Sequence, residues 1–351
     1  MTATPLHVLV IDDSAVVRQS LVRLLTERGG MHVTVAADPI FGLAKIRQAR
    51  PDVIVLDLHL PRMDGLSFLS LIMAENPIPV VVCSALTADR SDSALLALER
   101  GAVEIITKPK LGVRDFLQDS AVLIVDAVRS AAASRPVPSA ERVPPRIKPA
   151  PTRVSRPQSA GMRLCALGAS TGGTEALLRV LSRVPADGPG ILVVQHMPED
   201  FTAAFARRLD QACAIHVREA AEGDLVEPGV ALLAPGNRHL LLQRAGSNYE
   251  VTLQDGPLVS RHRPSVDVLF QSVASVAGRN AVGVIMTGMG SDGAAGLLAM
   301  HVAGATTLAQ DEQSCVVFGM PKEAIARGAV QQIVPLEGLA ERMLGAAYRA
   351  G

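Results

Sequence analysis

Ala166-Leu-Gly-Ala-Ser-Thr-Gly-Gly-Thr174 puts a serine on a glycine-rich turn. The apolar run Leu164–Leu167 ahead of it reads as a buried strand. Glu175–Val184 behind it carries leucines at helical spacing, so Ser170 falls where strand gives way to helix. Glycines at 168, 172 and 173 permit a tight turn. The segment Gly168 to Gly172 also fits G-x-S-x-G, in which a sharp strand-to-helix turn exposes a serine oxygen beside backbone N–H groups.

Downstream the alternation continues. Strands are expected at Ile191–Gln195, Val230–Leu233, Ala281–Met286 and Thr306–Ala309. Helical patterns are expected at Glu199–Leu209, Val266–Ala277, Gly293–Val302, Lys322–Arg327 and Leu336–Tyr348. His239–Gln243 and Tyr249–Leu253, joined by Arg-Ala-Gly-Ser-Asn, read as a β-hairpin. The C-terminal part, residues 161–351, is therefore expected to be a doubly wound, mainly parallel α/β domain with an antiparallel hairpin.

Upstream, apolar runs at His7–Ile11, Val33–Ala36, Val53–Leu56, Val80–Cys83 and Val103–Ile106 alternate with amphipathic stretches. Residues 1–129 are thus expected to form a five-stranded, doubly wound parallel sheet. Ligands of such sheets gather at the carboxyl ends of the strands. Asp12 and Asp13 end the first strand, Asp57 the third, Ser84 the fourth and Lys108 the fifth. Taken singly, each aspartate is equally a helix cap or a solvated strand end. Taken together, three converging carboxylates repel one another and ask for a hard cation such as Mg²⁺, and the lysine suits a phosphate or a carboxylate. Between the two parts, residues 130–160 carry prolines at 136, 138, 144, 145, 149, 151 and 157 and six basic residues against one glutamate. Missing N–H groups and fixed φ disfavour helix and ladder alike, so this stretch reads as a tether.

Composition narrows the function. Lys plus Arg equals Asp plus Glu at 34 each and aromatics are only 3%, so no nucleic-acid partner is expected. No uncharged run is long enough to span a bilayer, and the first residues resemble neither a signal nor a transit peptide. Four widely spaced cysteines, at 83, 165, 213 and 315, point to a reducing cytoplasm rather than a disulfide framework. A cytoplasmic monomer without membrane insertion is expected.

A serine nucleophile needs a base, an orienter for the base and donors for the oxyanion. His196 directly follows the strand Ile191–Gln195 and shares the carboxyl edge with Ser170, whereas His262 is the second candidate. Asp292, in the glycine-rich loop Thr287-Gly-Met-Gly-Ser-Asp-Gly293, reaches the same edge, either as a helix cap or as the orienter. The N–H groups of Thr171 and Met289 are candidates for the oxyanion hole. The order Ser, His, Asp differs from that of α/β-hydrolases. A dinucleotide- or phosphate-binding loop fits poorly: the glycines do not spell G-x-G-x-x-G, no lysine follows to make a P-loop, and the second strand ends in Gln195-His196 rather than an acid.

Two resemblances follow from these motifs. Asp12-Asp13-Ser14, Leu56-Asp57-Leu58-His59-Leu60-Pro61-Arg62-Met63-Asp64-Gly65 and Thr107-Lys108-Pro109 resemble the receiver domain of two-component response regulators. That resemblance implies that Asp57 accepts phosphate from a sensor histidine kinase, with Mg²⁺ held by Asp12, Asp13 and Asp57 and with Ser84 and Lys108 on the phosphoryl oxygens. Ile105 stands where that family often has an aromatic switch residue. Gly168-Ala-Ser-Thr-Gly-Gly-Thr-Glu175, Val194-Gln-His-Met-Pro198, Ala234-Pro-Gly-Asn-Arg-His239, Arg261-His-Arg-Pro-Ser-Val-Asp267, Thr287 to Gly293 and Phe318-Gly-Met-Pro321 resemble the chemotaxis-response-regulator protein-glutamate methylesterases. The resemblance implies Ser170 as nucleophile, His196 as base, Asp292 as orienter and Met289 near the oxyanion, with no cofactor in this domain. It further implies demethylation of glutamyl γ-methyl esters and deamidation of glutamines on chemoreceptors, and an unphosphorylated receiver that blocks the serine. A response regulator whose second domain only binds receptors is the competing expectation.

Overall fold

The computed structural model describes residues 4–84, 88–108, 114–134 and 163–348. The chain divides into two compact units, Met1–Val143 and Pro144–Gly351. In the first, β1 (His7–Ile11), β2 (His32–Ala36), β3 (Val53–Leu56), β4 (Val80–Ser84) and β5 (Glu104–Thr107) pair in parallel in the order β2-β1-β3-β4-β5. They alternate with α1 (Ala15–Glu27), α2 (Pro39–Gln48), α3 (Gly65–Glu75), α4 (Ala88–Glu99) and α5 (Arg114–Ala133). β3 and β4 are buried along their whole length, which is why they read as unbroken apolar runs rather than alternating ones. Ser14, Asp38 and Asp64 cap the first three helices, their side chains accepting from the N–H groups of Val17, Phe41 and Ser67. α5 runs to Ala133, past residue 129 where the sequence reading ends the first domain; most of the proline-rich stretch expected as a tether lies outside the described residues.

The second unit is built on β6 (Leu164–Ala169), β7 (Ile191–Gln195), β8 (His216–Glu219), β9 (Val230–Leu233), β12 (Ala281–Ile285), β13 (Thr306–Gln310) and β14 (Gln332–Val334), all parallel, in the order β14-β13-β12-β6-β7-β9-β8. β10 (His239–Ala245) and β11 (Asn248–Gln254) form the expected antiparallel hairpin. Its turn is only Gly246-Ser247, with Gly246 at φ 60°, so both strands run further into the connection than the sequence suggests. The helix α6 (Gly173–Leu181) packs on α7 (Glu199–Ala212) and on α11 (Leu336–Ala347), and α9 (Ala294–Val302) packs on α8 (Val266–Val276) and on α10 (Met320–Ala326). α8 and α9 approach closely because Gly296 has no side chain; a β-carbon there would stand 2.7 Å from that of Phe270. Phe270 is fully buried, a transfer worth roughly 1.5–3 kcal/mol. No helix among the described residues is long and apolar enough to cross a membrane.

Each sheet reverses its winding once. The chain leaves β1 for β2 on one side and comes back for β3 on the other, and likewise leaves β6 for β7 and returns for β12. Crevices open at the carboxyl ends of strands flanking such a reversal. They receive Asp12, Asp13 and Asp57 in the first unit, and Ser170 and Asp292 in the second, with His196 one strand over.

Candidate active site

All six residues of β6 are buried, and α8 lies directly on the strand: a β-carbon on Gly168 would stand 2.2 Å from Val266 Cγ1. After Ala169 the chain turns through Ser170, Thr171 and Gly172, the last at φ 76°, where a side chain is disfavoured. The Gly173 N–H donates to Ser170 O at 2.7 Å, closing the turn into α6. The Ser170 N–H donates to Thr287 O at 3.0 Å, which ties the turn to the loop after β12. Gly288 in that loop backs onto the serine; a β-carbon there would stand 2.7 Å from Ser170 Cβ. The His196 N–H donates to Ala169 O at 3.1 Å, so the ladder between β6 and β7 sets the histidine beside the serine. Ser170 is buried at 6% exposure, Thr171 is buried, and Met289 is exposed.

His196 Nε2 lies 2.8 Å from Asp292 Oδ2, and its Nδ1 is buried without a hydrogen-bond partner among the described residues. The Asp292 carboxylate, 1% exposed, also accepts from Ser265 Oγ at 2.7 Å, the Val266 N–H at 2.8 Å and the Asp267 N–H at 3.0 Å. Asp292 thus serves the N-terminus of α8, where an anion is favoured. The helix that follows it, α9, is capped by Gly293 at φ 90°. Burial opposes the Asp292 charge, but the hydrogen bonds from His196, Ser265 and Asp267 outweigh it and bring the carboxyl down to about 2. The neighbouring Asp267 moves the other way, raised by burial and by the Asp292 charge.

His262 is stacked flat on His196, with ring centroids 3.7 Å apart and planes 5° from parallel. Its Nδ1 bonds Ser260 O at 2.8 Å. It stands on a two-residue turn in which Val259 and His262 exchange both backbone hydrogen bonds, with Ser260 at φ 50° and Arg261 at φ 69°. Non-glycine residues seldom adopt such angles, and turns that hold them concentrate at functional sites. Burial, reinforced by His196, lowers the His262 imidazole to about 3. Donor atoms of His196, His262 and Asp292 lie within 4.8 Å of one another. The ring planes are nearly parallel, so the in-plane lone pairs of the two imidazoles do not converge on one point as tetrahedral metal coordination requires.

In the first unit Lys108 Nζ sits 2.7 Å from both Asp57 Oδ2 and Asp12 Oδ2. Asp12 and Asp57 are buried and Asp13 is exposed. The Ser14 N–H donates to Asp12 Oδ1 at 2.8 Å and the His59 N–H to Asp57 Oδ1 at 3.2 Å. Burial raises the Asp12 carboxyl against the pull of Lys108. Burial likewise opposes the Lys108 charge, but its bonds to the two aspartates prevail and raise it. Ser84 is fully buried at the end of β4. One oxygen from each of Asp12, Asp13 and Asp57 falls within 4.8 Å of the others, a hard-oxygen donor set that fits Mg²⁺.

Residues 165–343 match the model of the CheB methylesterase family, and residues 8–119 match that of the response regulator receiver domain. The chain belongs to the CheB methylesterase family. A similar relative, protein-glutamate methylesterase/protein-glutamine glutaminase 5 of Anaeromyxobacter dehalogenans, is 54% identical over 352 residues, covering 98% of this chain and 97% of its own. Protein-glutamate methylesterase/protein-glutamine glutaminase 3 of Geobacter metallireducens is 53% identical over 348 residues, covering 97% of this chain and 98% of its own. The crystal structure of the Thermotoga maritima CheB methylesterase catalytic domain superposes with a TM-score of 0.52 at 35% identity, covering 52% of this chain and 98% of that one. The sequence alone puts Ser170, His196 and Asp292 on one edge but carries little sign of what surrounds them. Ser265 and Asp267 were seen only as part of a motif, Thr287 as the start of a loop, and His262 as a rival base rather than a stacking partner. Gln195 was noticed only for not being an acid.

Proposed function

We propose that this chain is a phosphorylation-regulated hydrolase that demethylates glutamyl γ-methyl esters and deamidates glutamines on chemoreceptors, in the cytoplasm, through Ser170, His196 and Asp292. The observation that carries the reading is the His196–Asp292 pair beside the serine turn: Asp292 takes the Nε2–H, which leaves the Nδ1 lone pair as the base. His196 Nδ1 removes the Ser170 proton as Oγ attacks the side-chain carbonyl carbon. The N–H groups of Thr171 and Met289 receive the oxyanion. The imidazolium, steadied by Asp292, then gives its proton to the departing methanol, or to ammonia from a glutamine. Water, deprotonated by the same Nδ1, cleaves the acyl-enzyme and returns Ser170 with a free glutamate.

In the receiver, Asp57 is the phosphoryl acceptor, supplied by a sensor histidine kinase, with Lys108 and Ser84 on the phosphoryl oxygens. Asp12, Asp13 and Asp57 would hold Mg²⁺, which neutralises charge on the incoming phosphoryl group. Phosphorylation adds about −1.5 to −2 charges at this edge, enough to shift a two-state surface. Residues 1–129 together with the rest of α5 to Ala133 are the receiver, the proline-rich stretch that follows to about residue 160 is the tether and residues 161–351 are the methylesterase, and the unphosphorylated receiver limits access to Ser170. A tethered inhibitor is effective even when its contact is weak. Labelling of the intact protein with a serine-reactive phosphonate tests the nucleophile. Modification at Ser170 that abolishes methanol release is expected, and an unlabelled Ser170 in active protein contradicts the assignment.

A further inference from the structure

We propose that Gln195 is a positioning residue that holds nucleophile and base in register through a single buried amide. The inference rests on the roles given above to Ser170 and His196. Gln195 ends β7 and is 3% exposed. Its Nε2 donates one hydrogen to Ser170 O at 2.8 Å and the other to His196 O at 3.0 Å. One rigid group therefore fixes the backbone of the attacking residue against that of the residue that deprotonates it.

The opposite end of the amide explains why the residue is a glutamine. Oε1 is buried with no hydrogen-bond donor among the described residues, and it occupies the space a side chain on Gly173 would fill, 2.1 Å from that β-carbon position. Gly173 is the first residue of α6, so the oxygen rests where the partial positive charge of the helix favours it. Turning the amide over would set Oε1 against two carbonyl oxygens and forfeit both bonds. A glutamate has the same shape but no hydrogen to offer when ionised, and it would press a negative charge onto both carbonyls. The Gln195 amide is bonded to main-chain carbonyls of the reacting residues, so its loss misaligns the reacting atoms and lowers kcat while leaving KM in place.

The test uses the full-length protein and methanol release from methylated receptor membranes, with Gln195→Glu, Gln195→Met and Ser170→Ala compared between about pH 5 and 8. Both Gln195 variants are expected to lose kcat on the order of 10- to 100-fold at unchanged KM. The Gln195→Glu rate relative to wild type should climb as pH falls, because a protonated carboxyl regains one donor hydrogen; the Gln195→Met ratio should stay flat. A purely structural role predicts the same flat deficit in both. Thermal melting checks that each variant is folded. Should Gln195→Glu fail to fold, the split between kcat and KM in Gln195→Met decides, since methionine keeps the volume and removes the amide: a loss confined to kcat supports the proposal, and a loss shared with KM overturns it. A wild-type kcat in the folded variants, or equal and pH-independent losses, overturns the proposal. A wild-type rate in Ser170→Ala would instead overturn the triad on which it rests.

Discussion

His196 can act as a base because Asp292 claims one of its nitrogens and no group among the described residues claims the other. The carboxylate stays charged in a buried place because three donors from the start of α8 accompany the histidine. The repelled neighbour, Asp267, has the Gly296 N–H on its own Oδ1 at 2.7 Å. His262 stacks as an imidazole held far below its ordinary value, so it adds aromatic contact without a second positive charge beside the imidazolium proposed on His196. This has a consequence for stability. An unfolded chain takes up a proton on this imidazole below its ordinary 6.5, whereas the folded chain resists until about 3. The folded state is therefore fully favoured above 6.5 and loses ground as pH falls through that window. Urea midpoints measured near pH 7 and near pH 5 should drop more on acidification for the wild type than for His262→Phe; equal drops would contradict a neutral, half-buried His262.

Among the elements, the strand-end loops do the assembling. The loop after β12 supplies the carbonyl that holds the Ser170 N–H and the bare Gly288 against which the serine packs. Gly288→Ala would place a methyl 2.4 Å from Met320 Sδ and 2.7 Å from Ser170 Cβ. Displacing the serine turn should cost on the order of 100-fold in kcat, read as methanol release; an unchanged kcat would show that the turn relaxes freely. The central strands were legible in the sequence because buried parallel strands leave unbroken apolar runs. β8 was not, since its His-Val-Arg-Glu sequence turns only Val217 inward, and β14, at three residues, is too short to carry a period. That Ser170, His196 and Asp292 share one edge was legible because the first two directly follow strands and the third lies in the loop after β12. Gln195 and the Ser260-Arg261 turn were not, because a polar residue closing an apolar run and a left-handed Ser-Arg pair leave no pattern in a single sequence.

At the scale of the whole molecule, two crevices with different chemistry share one chain: a carboxylate cluster answered by Lys108, and a serine turn beside the His196–Asp292 pair. On the proposed reading the first crevice controls the second. Asp57→Asn should abolish stimulation of methanol release by a small-molecule phosphodonor with Mg²⁺ while leaving the basal rate near that of the unphosphorylated wild type; stimulation that survives the substitution would place the phosphoryl acceptor elsewhere. On the proposed reading the receiver changes how often the serine is reached, and Ser170, His196 and Asp292 together carry the hydrolysis. The most direct measurement is methanol release from methylated chemoreceptor membranes by the full-length protein and its Ser170→Ala variant, both phosphorylated. A fall on the order of 10⁴- to 10⁶-fold is expected, and a variant that releases methanol at the wild-type rate would contradict the account.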